Sequence, residues 1–168
     1  MGCRVRLSST TTRQQARYVP PSPLTLKDCL DNFEKYIHYD EKDRLVQLAI
    51  AHAQFEIIHP FMDGNGRLGR ILIPLFLCEK DVLHSPMFYI SEYMETNREE
   101  YYDRLLAVSN EKKWDNWIEF FLKAIVAPAK TNSVRAKKIL ELYNTITERI
   151  TKATHSQYGI KILDTLFK

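Results

Sequence analysis

At 168 residues the chain has room for one substantial core, and two full domains would stretch it. Its 45% apolar content argues against general disorder, and a net charge of only +3, with both signs mixed along the chain, gives no basic block that would imply nucleic acid. The start is not a signal segment, no apolar run approaches about 18 residues, and three cysteines without framework spacing fit a reducing compartment, so a cytoplasmic location without membrane contact is expected.

Residues 1–17 are rich in Ser, Thr, Arg and Gln and show neither helical periodicity nor a core strand, which predicts a flexible segment or a weak hairpin. Pro20, Pro21 and Pro23 then hold the chain extended. Thr25 is placed to cap a helix, with Asp28 three positions on, and Leu26, Leu30, Phe33 and Ile37 give that helix one apolar stripe. His38, at its end, suits a surface or capping use. A second helix is predicted over Lys42–Ile58, with Leu45, Leu48, Ala49, His52, Phe55 and Ile58 on a broad apolar face that suggests a central helix. His52 within it reads as a buried, hydrogen-bonded structural histidine.

The segment His59-Pro-Phe-Met-Asp-Gly-Asn-Gly-Arg-Leu-Gly-Arg70 carries the chemistry. Glycines allow backbone N–H groups to approach a ligand closely, and a helix starting just after them offers its unpaired N–H groups and positive dipole end. With an imidazole beside it and two arginines behind it, this is the anatomy of an anion cradle with a base. An Asp-Gly-Asn-Gly string is also a good tight turn, but a turn needs neither His59 nor Arg67 and Arg70. It is not a Walker A loop, because Arg70 and Ile71 stand where Lys and Ser/Thr should be. His52, Glu56, His59 and Asp63 recur at spacings that leave a hydrolytic metal cluster open, whereas Cys3, Cys29 and Cys78 are too scattered for a zinc ribbon.

Beyond the motif, Leu68, Ile71, Leu72, Leu75 and Phe76 predict another helix packed on the first two, kinked near Pro74. Ser91 and Asn97 are placed as caps, Asn97 with Glu100 in a capping-box pattern. Tyr93, Tyr101, Tyr102, Leu105 and Leu106 line up at helical spacing, which most often means core packing. Asp115 is placed to cap a helix containing Trp117, Phe120, Phe121 and Ile125, which Pro128 interrupts or bends. Val134, Ile139, Leu142, Ile146 and Ile150 mark a long helix after it, and Ser156 can start a last one through Ile162, Leu163, Leu166 and Phe167.

The stretch from His59 to Arg70 matches, without a missing position, the signature His-x-Phe-x-(Asp/Glu)-Gly-Asn-Gly-Arg-x-x-Arg of Fic-domain protein adenylyltransferases. With Ala51–Glu56, Leu72–Leu75, Tyr89–Tyr93 and Asn97–Tyr102, the chain resembles the bacterial type that carries a C-terminal winged-helix module. The resemblance implies an all-α fold around a central motif-bearing helix pair, with a small β-hairpin flap near the N-terminus as an accompaniment. It divides the chain into a flexible or partial flap segment over 1–17, a catalytic core over 18–128, and C-terminal helices over 129–168 leading into a winged helix that looks cut short.

The same resemblance implies transfer of AMP from ATP to a Ser, Thr or Tyr hydroxyl of a protein, with release of pyrophosphate. His59 would be the base and Asp63 the Mg²⁺ ligand. Asn65, Gly66, Arg67, Gly69 and Arg70 would bind the donor's phosphates, and Tyr102 and Asn110 its base. Pro60 and Phe61 would stiffen and plug the loop. Implied partners are a protein substrate, the chain itself as a second target, an inhibitory helix from a missing N-terminal segment or another protein, and DNA only if a complete winged helix is present. The competing functions are a metal-dependent phosphohydrolase built on His52, His59 and Asp63, and a catalytically silent interaction module.

Overall fold

A computed structural model describes residues 20–154 and 157–167. Every regular element among them is an α-helix: α1 (Pro23–His38), α2 (Arg44–Ile58), α3 (Asn65–Glu79), α4 (Ser91–Thr96), α5 (Arg98–Glu111), α6 (Trp114–Ala153) and α7 (Gln157–Leu166). The flap hairpin expected near the N-terminus and the helix start expected at Ser156 lie outside the described residues. Spatially the chain divides into two units, Met1–Val126 and Ala127–Lys168.

In the first unit α2 is the central helix, packed against α1, α3 and α5. Leu48, Ala49, Ala51, Ala53, Ile57 and Ile58 are all buried, so α2 faces protein around most of its circumference. Small alanines on such a helix let neighbours approach closely. Trp117, at the start of α6, is fully buried and its indole N–H donates to Ala49 O at 2.8 Å, tying that turn of α6 to the middle of α2. Buried Gln47 joins α1 to α2 by donating from Nε2 to Tyr36 O at 2.8 Å and Tyr39 O at 2.7 Å, carbonyls at the end of α1, of which Tyr36 O also accepts from Tyr39 N–H at 3.2 Å.

Several local expectations are corrected. α1 starts at Pro23, not after Thr25: proline at the first position has its φ preset and lacks an N–H that would be unpaired anyway. α3 does not pack through Leu68, Ile71 and Leu75, which are 42%, 53% and 51% exposed. It buries Gly69, Ile73, Pro74, Phe76 and Leu77. The helix is apolar on nearly every side, so periodicity could not select the face. Asn97 precedes α5 but forms no side-chain cap; its Nδ2 donates backward to Tyr93 O at 2.8 Å. Asp115 lies inside the first turn of α6 instead of capping it, and helix α6 includes Pro128.

The described part of the second unit consists of the later part of α6 and α7. Tyr143 O–H donates to Asp164 at 2.6 Å and its ring meets Phe167 edge-on at 5.3 Å. A Cβ on Gly159 would sit 2.7 Å from Ile150 Cγ2, so glycine there permits a close approach of α7 to α6. No wing strand occurs among the described residues of this unit.

Candidate active site

The loop 59–64 joins two helix ends of opposite polarity, the C-terminus of α2 and the N-terminus of α3. α2 is started by Asp43, whose carboxylate accepts from Leu45 N–H at 3.0 Å and Val46 N–H at 3.1 Å. It ends because His59 turns left-handed, φ 48° and ψ 58°, while its N–H still donates to Phe55 O at 3.0 Å. A non-glycine residue in that region costs roughly 1–2 kcal/mol, which the surrounding packing must hold. His59 thus stands outside the helix, so it does not share a face with His52. Its side chain is exposed.

The loop is closed by Asn65. Phe61 N–H donates to Asn65 Oδ1 at 3.0 Å, and Asn65 Nδ2 donates back to Phe61 O at 2.6 Å. Asn65 is 2% exposed, whereas the Phe61 ring is 51% exposed. The expected apolar plug is therefore not the ring of Phe61; the loop is seated through that residue's backbone. The carboxamide of Asn65 is spent on this task, and what Asn65 can offer an anion is its backbone N–H.

At the start of α3, Gly64 has φ 86°, a conformation favouring glycine. Leu68 N–H is bonded to Gly64 O at 3.0 Å. The N–H groups of Asn65, Gly66 and Arg67 precede that bond and have no partner within the helix. Both guanidinium groups fold back beside this turn. A Cβ on Gly64 would lie 3.6 Å from Arg67 Nη2, and one on Gly66 only 3.3 Å from Arg70 Nη1. The two glycines thereby keep space for two cations next to three open donors, a strongly anion-selective arrangement.

Asp63 is exposed and its carboxylate accepts from Gly64 N–H at 2.7 Å and Arg67 Nη2 at 3.4 Å. A single carboxylate fits a hard divalent cation that brings its other oxygen ligands along, as magnesium on a polyphosphate does. Among the described residues no group of three His, Cys, Asp or Glu side chains could hold a metal unaided. This removes the hydrolytic cluster of His52, Glu56, His59 and Asp63.

His52 explains why. Its ring is completely buried, stacked parallel to Trp117 at 6.1 Å, with Nδ1 3.1 Å from Gly69 O and Nε2 3.1 Å from Tyr101 Oη. Burial pushes its pKa down to about 4, partly countered by the bond to Gly69, with Arg70 adding to the depression. The imidazole is thus neutral near pH 7. A carbonyl can only accept, so Nδ1 carries the hydrogen and Nε2 accepts from the tyrosine hydroxyl. Neither nitrogen remains for a metal.

Behind the cradle lies a group whose role the sequence did not reveal. Burial pushes Glu56 up to about 7, and the Arg70 guanidinium pulls it back only in part. Glu56 Oε1 is buried without a hydrogen-bond partner. A Cβ on Gly69 would lie 2.3 Å from that oxygen and 3.3 Å from His52 Cε1. Gly69 is therefore a packing glycine, not a phosphate ligand: it sits in the second turn of α3, where its N–H belongs to the helix ladder. A carboxylate on the buried face of a central helix was the available signal.

A groove of about 500 Å³ opens beside Arg67 and Arg70, floored by Pro74, Phe88 and Ile90. Tyr102 and Asn110 do not line it. α5 buries Tyr101, Leu105 and Val108, which turns Tyr102 outward, edge-on to Tyr101 at 5.2 Å, and leaves Asn110 exposed in the last turn.

Residues 4–77 match the family model described as Fic/DOC family. Over 85 residues the chain is 33% identical to a probable protein adenylyltransferase of Aquifex aeolicus (strain VF5), covering 50% of this chain and 27% of that protein. The protein adenylyltransferase Fic of Drosophila grimshawi is 36% identical over 63 residues, 36% of this chain and 13% of that protein. Its Drosophila melanogaster counterpart is 35% identical over 63 residues, again 13% of the relative. The chain thus spans only a small part of the curated relatives it matches. These similarities are to Fic/DOC-family proteins over part of the chain, and the described helical core is all-α and Fic-like.

Proposed function

We propose that this chain is a Fic-type nucleotidyltransferase that moves AMP from ATP to a Ser, Thr or Tyr hydroxyl of a protein and releases pyrophosphate. The observation that carries this reading is the meeting, at one loop, of an exposed imidazole with the open N–H groups and paired guanidinium groups at the start of α3. The family match supports nucleotidyl transfer over hydrolysis. So does the commitment of both His52 nitrogens to structural bonds.

His59, held outside α2 by its left-handed backbone, accepts the proton of the target hydroxyl. The hydroxyl oxygen forms a bond to the α-phosphorus as the bond to the pyrophosphate oxygen breaks. The N–H groups of Asn65, Gly66 and Arg67 receive phosphate oxygens, with Arg67 on the β-phosphate and Arg70 on the γ-phosphate. Guanidinium forks suit this better than ammonium groups, because each can make two parallel bonds. Asp63 would hold Mg²⁺, which when bound neutralises charge on the α- and β-phosphates. For that, Asp63 must exchange its weak tie to Arg67 for the cation. An inhibitory helix supplied by another segment or a partner would act in the groove beside Arg70. Residues 18–128 would be the catalytic core, with the helices after residue 128 appended to it.

Incubation with a cell lysate, Mg²⁺ and α-labelled ATP should label protein, whereas γ-labelled ATP should not. His59→Ala should lower that label by about a hundredfold or more while retaining ATP binding. Equal labelling by the variant and the parent would remove His59 as the base, and label from the γ position would replace AMP transfer by phosphorylation.

A further inference from the structure

The carboxyl of Glu56 takes no part in the steps above, yet it lies directly behind them. It reaches from the last turns of α2 over Gly69, where a single methyl group would collide with it. Oε1 is one of two buried side-chain oxygens without a hydrogen-bond partner among the described residues; the other, Gln47 Oε1, is remote in sequence from the motif. The groups that bear on it electrostatically come from three helices. On α3, the Arg70 guanidinium attracts its charge; on α5, the Tyr101 hydroxyl is disfavoured from ionising by it; on its own helix, neutral His52 lies one turn away, against the same glycine. A glutamate in such a place is costly unless something uses it.

We infer that the binding of a terminal phosphate at the start of α3 is coupled, through the charge of Arg70, to uptake of a proton by the buried Glu56 carboxyl that lies against the neighbouring Gly69. This rests on the assignment of Arg70 to the donor's γ-phosphate. Ionised Glu56 offsets part of the positive potential that Arg70 offers the phosphate, and neutral Glu56 leaves that potential undiminished. The reverse follows by linkage: a phosphate dianion on Arg70 makes the charge on Glu56 harder to sustain, so the carboxylate takes a proton from water. With the free carboxyl titrating at about 7, uptake appears above neutral pH. There affinity for a triphosphate falls as pH rises.

The test is calorimetry of ATP and AMP binding to the whole chain at pH 6.5 and pH 8.5. Two buffers of different ionisation enthalpy are used, so that proton uptake is counted directly. At the higher pH the donor's own terminal phosphate is already ionised. The parent should take up a sizeable fraction of a proton with ATP and none with AMP. Its ATP affinity should fall about threefold to tenfold more between the two pH values than that of Glu56→Gln. Uptake that persists in Glu56→Gln, or that AMP elicits equally, would overturn the inference. So would absence of uptake by the parent, a measurement that does not depend on the variant folding. If Arg70→Ala binds ATP as the parent does, the γ-phosphate assignment fails and the inference with it. Glu56-dependent uptake without protein labelling would sink AMP transfer and leave the coupling standing.

Discussion

His52 and His59 lie two turns apart in sequence and have opposite fates. At His52 the helix runs on, the ring is sealed between Trp117 and Phe121, and both nitrogens are committed. At His59 the helix stops, the backbone turns left-handed, and the ring stands in solvent beside an anion cradle. The same side chain is therefore a core strut in one place and a solvent-exposed imidazole in the other. What separates them is the backbone: an uninterrupted ladder buries one ring, and its termination frees the other. Pro60 and the Asn65 clamp maintain that termination, because proline cannot donate to the ladder and the carboxamide fixes the loop that follows.

The largest test of this contrast is His52→Ala. Deleting a fully enclosed ring leaves a cavity and strands two polar partners, so stability to denaturant should fall by about 3–5 kcal/mol. His59→Ala, by contrast, should cost little stability while abolishing transfer. Two variants with equal stability would erase the distinction between strut and base.

A somewhat smaller effect sharpens the description of the interior. His52 is held near 4 against an ordinary 6.5, so the unfolded chain gains its proton first and stability falls as pH drops from 6.5 to 4. Glu56 is held near 7 against an ordinary 4.5, so the folded chain keeps a proton that the unfolded chain loses, and stability falls as pH rises from 4.5 to 7. Each contribution is about 3 kcal/mol, and over the shared window they oppose each other. Glu56→Gln removes one arm. Relative to the parent, its stability in urea titrations should climb by about 3 kcal/mol between pH 4.5 and pH 7. Parallel curves would mean that the carboxyl is not held as described.

The smallest effect concerns the loop. Asn65→Ala removes two hydrogen bonds from a buried position and should cost about 2 kcal/mol, lowering the thermal midpoint and transfer together. Phe61→Asp alters a ring already half in solvent and should change stability by no more than about 0.5 kcal/mol. Reversal of that order would restore the ring as the element that seats the loop.

Much of this molecule was legible in the sequence because its signals are local. The proline and glycines at 60, 64 and 66 mark the break between the two central helices, and the order of residues from His59 to Arg70 announces the cradle, whereas the start of α2, expected at Lys42, lies at Arg44 behind the Asp43 cap. The structural role of His52 could be anticipated from its place on an apolar face. Relations between distant residues were harder to read. Nothing local says that Gly69 serves Glu56, that Asn65 turns inward to Phe61, or that α5 rotates Tyr102 away from the groove. Each depends on which face a helix buries. On α3, apolar around most of its circumference, composition leaves that choice to tertiary packing.

The fastening of α1 has an evolutionary side. Gln47 grips the carbonyl oxygens of Tyr36 and Tyr39, groups that every amino acid possesses. The end of α1 can therefore drift in side-chain identity without loosening these bonds, whereas one change at position 47 undoes both. Robustness on one helix has been obtained by concentrating fragility in a single codon on the other.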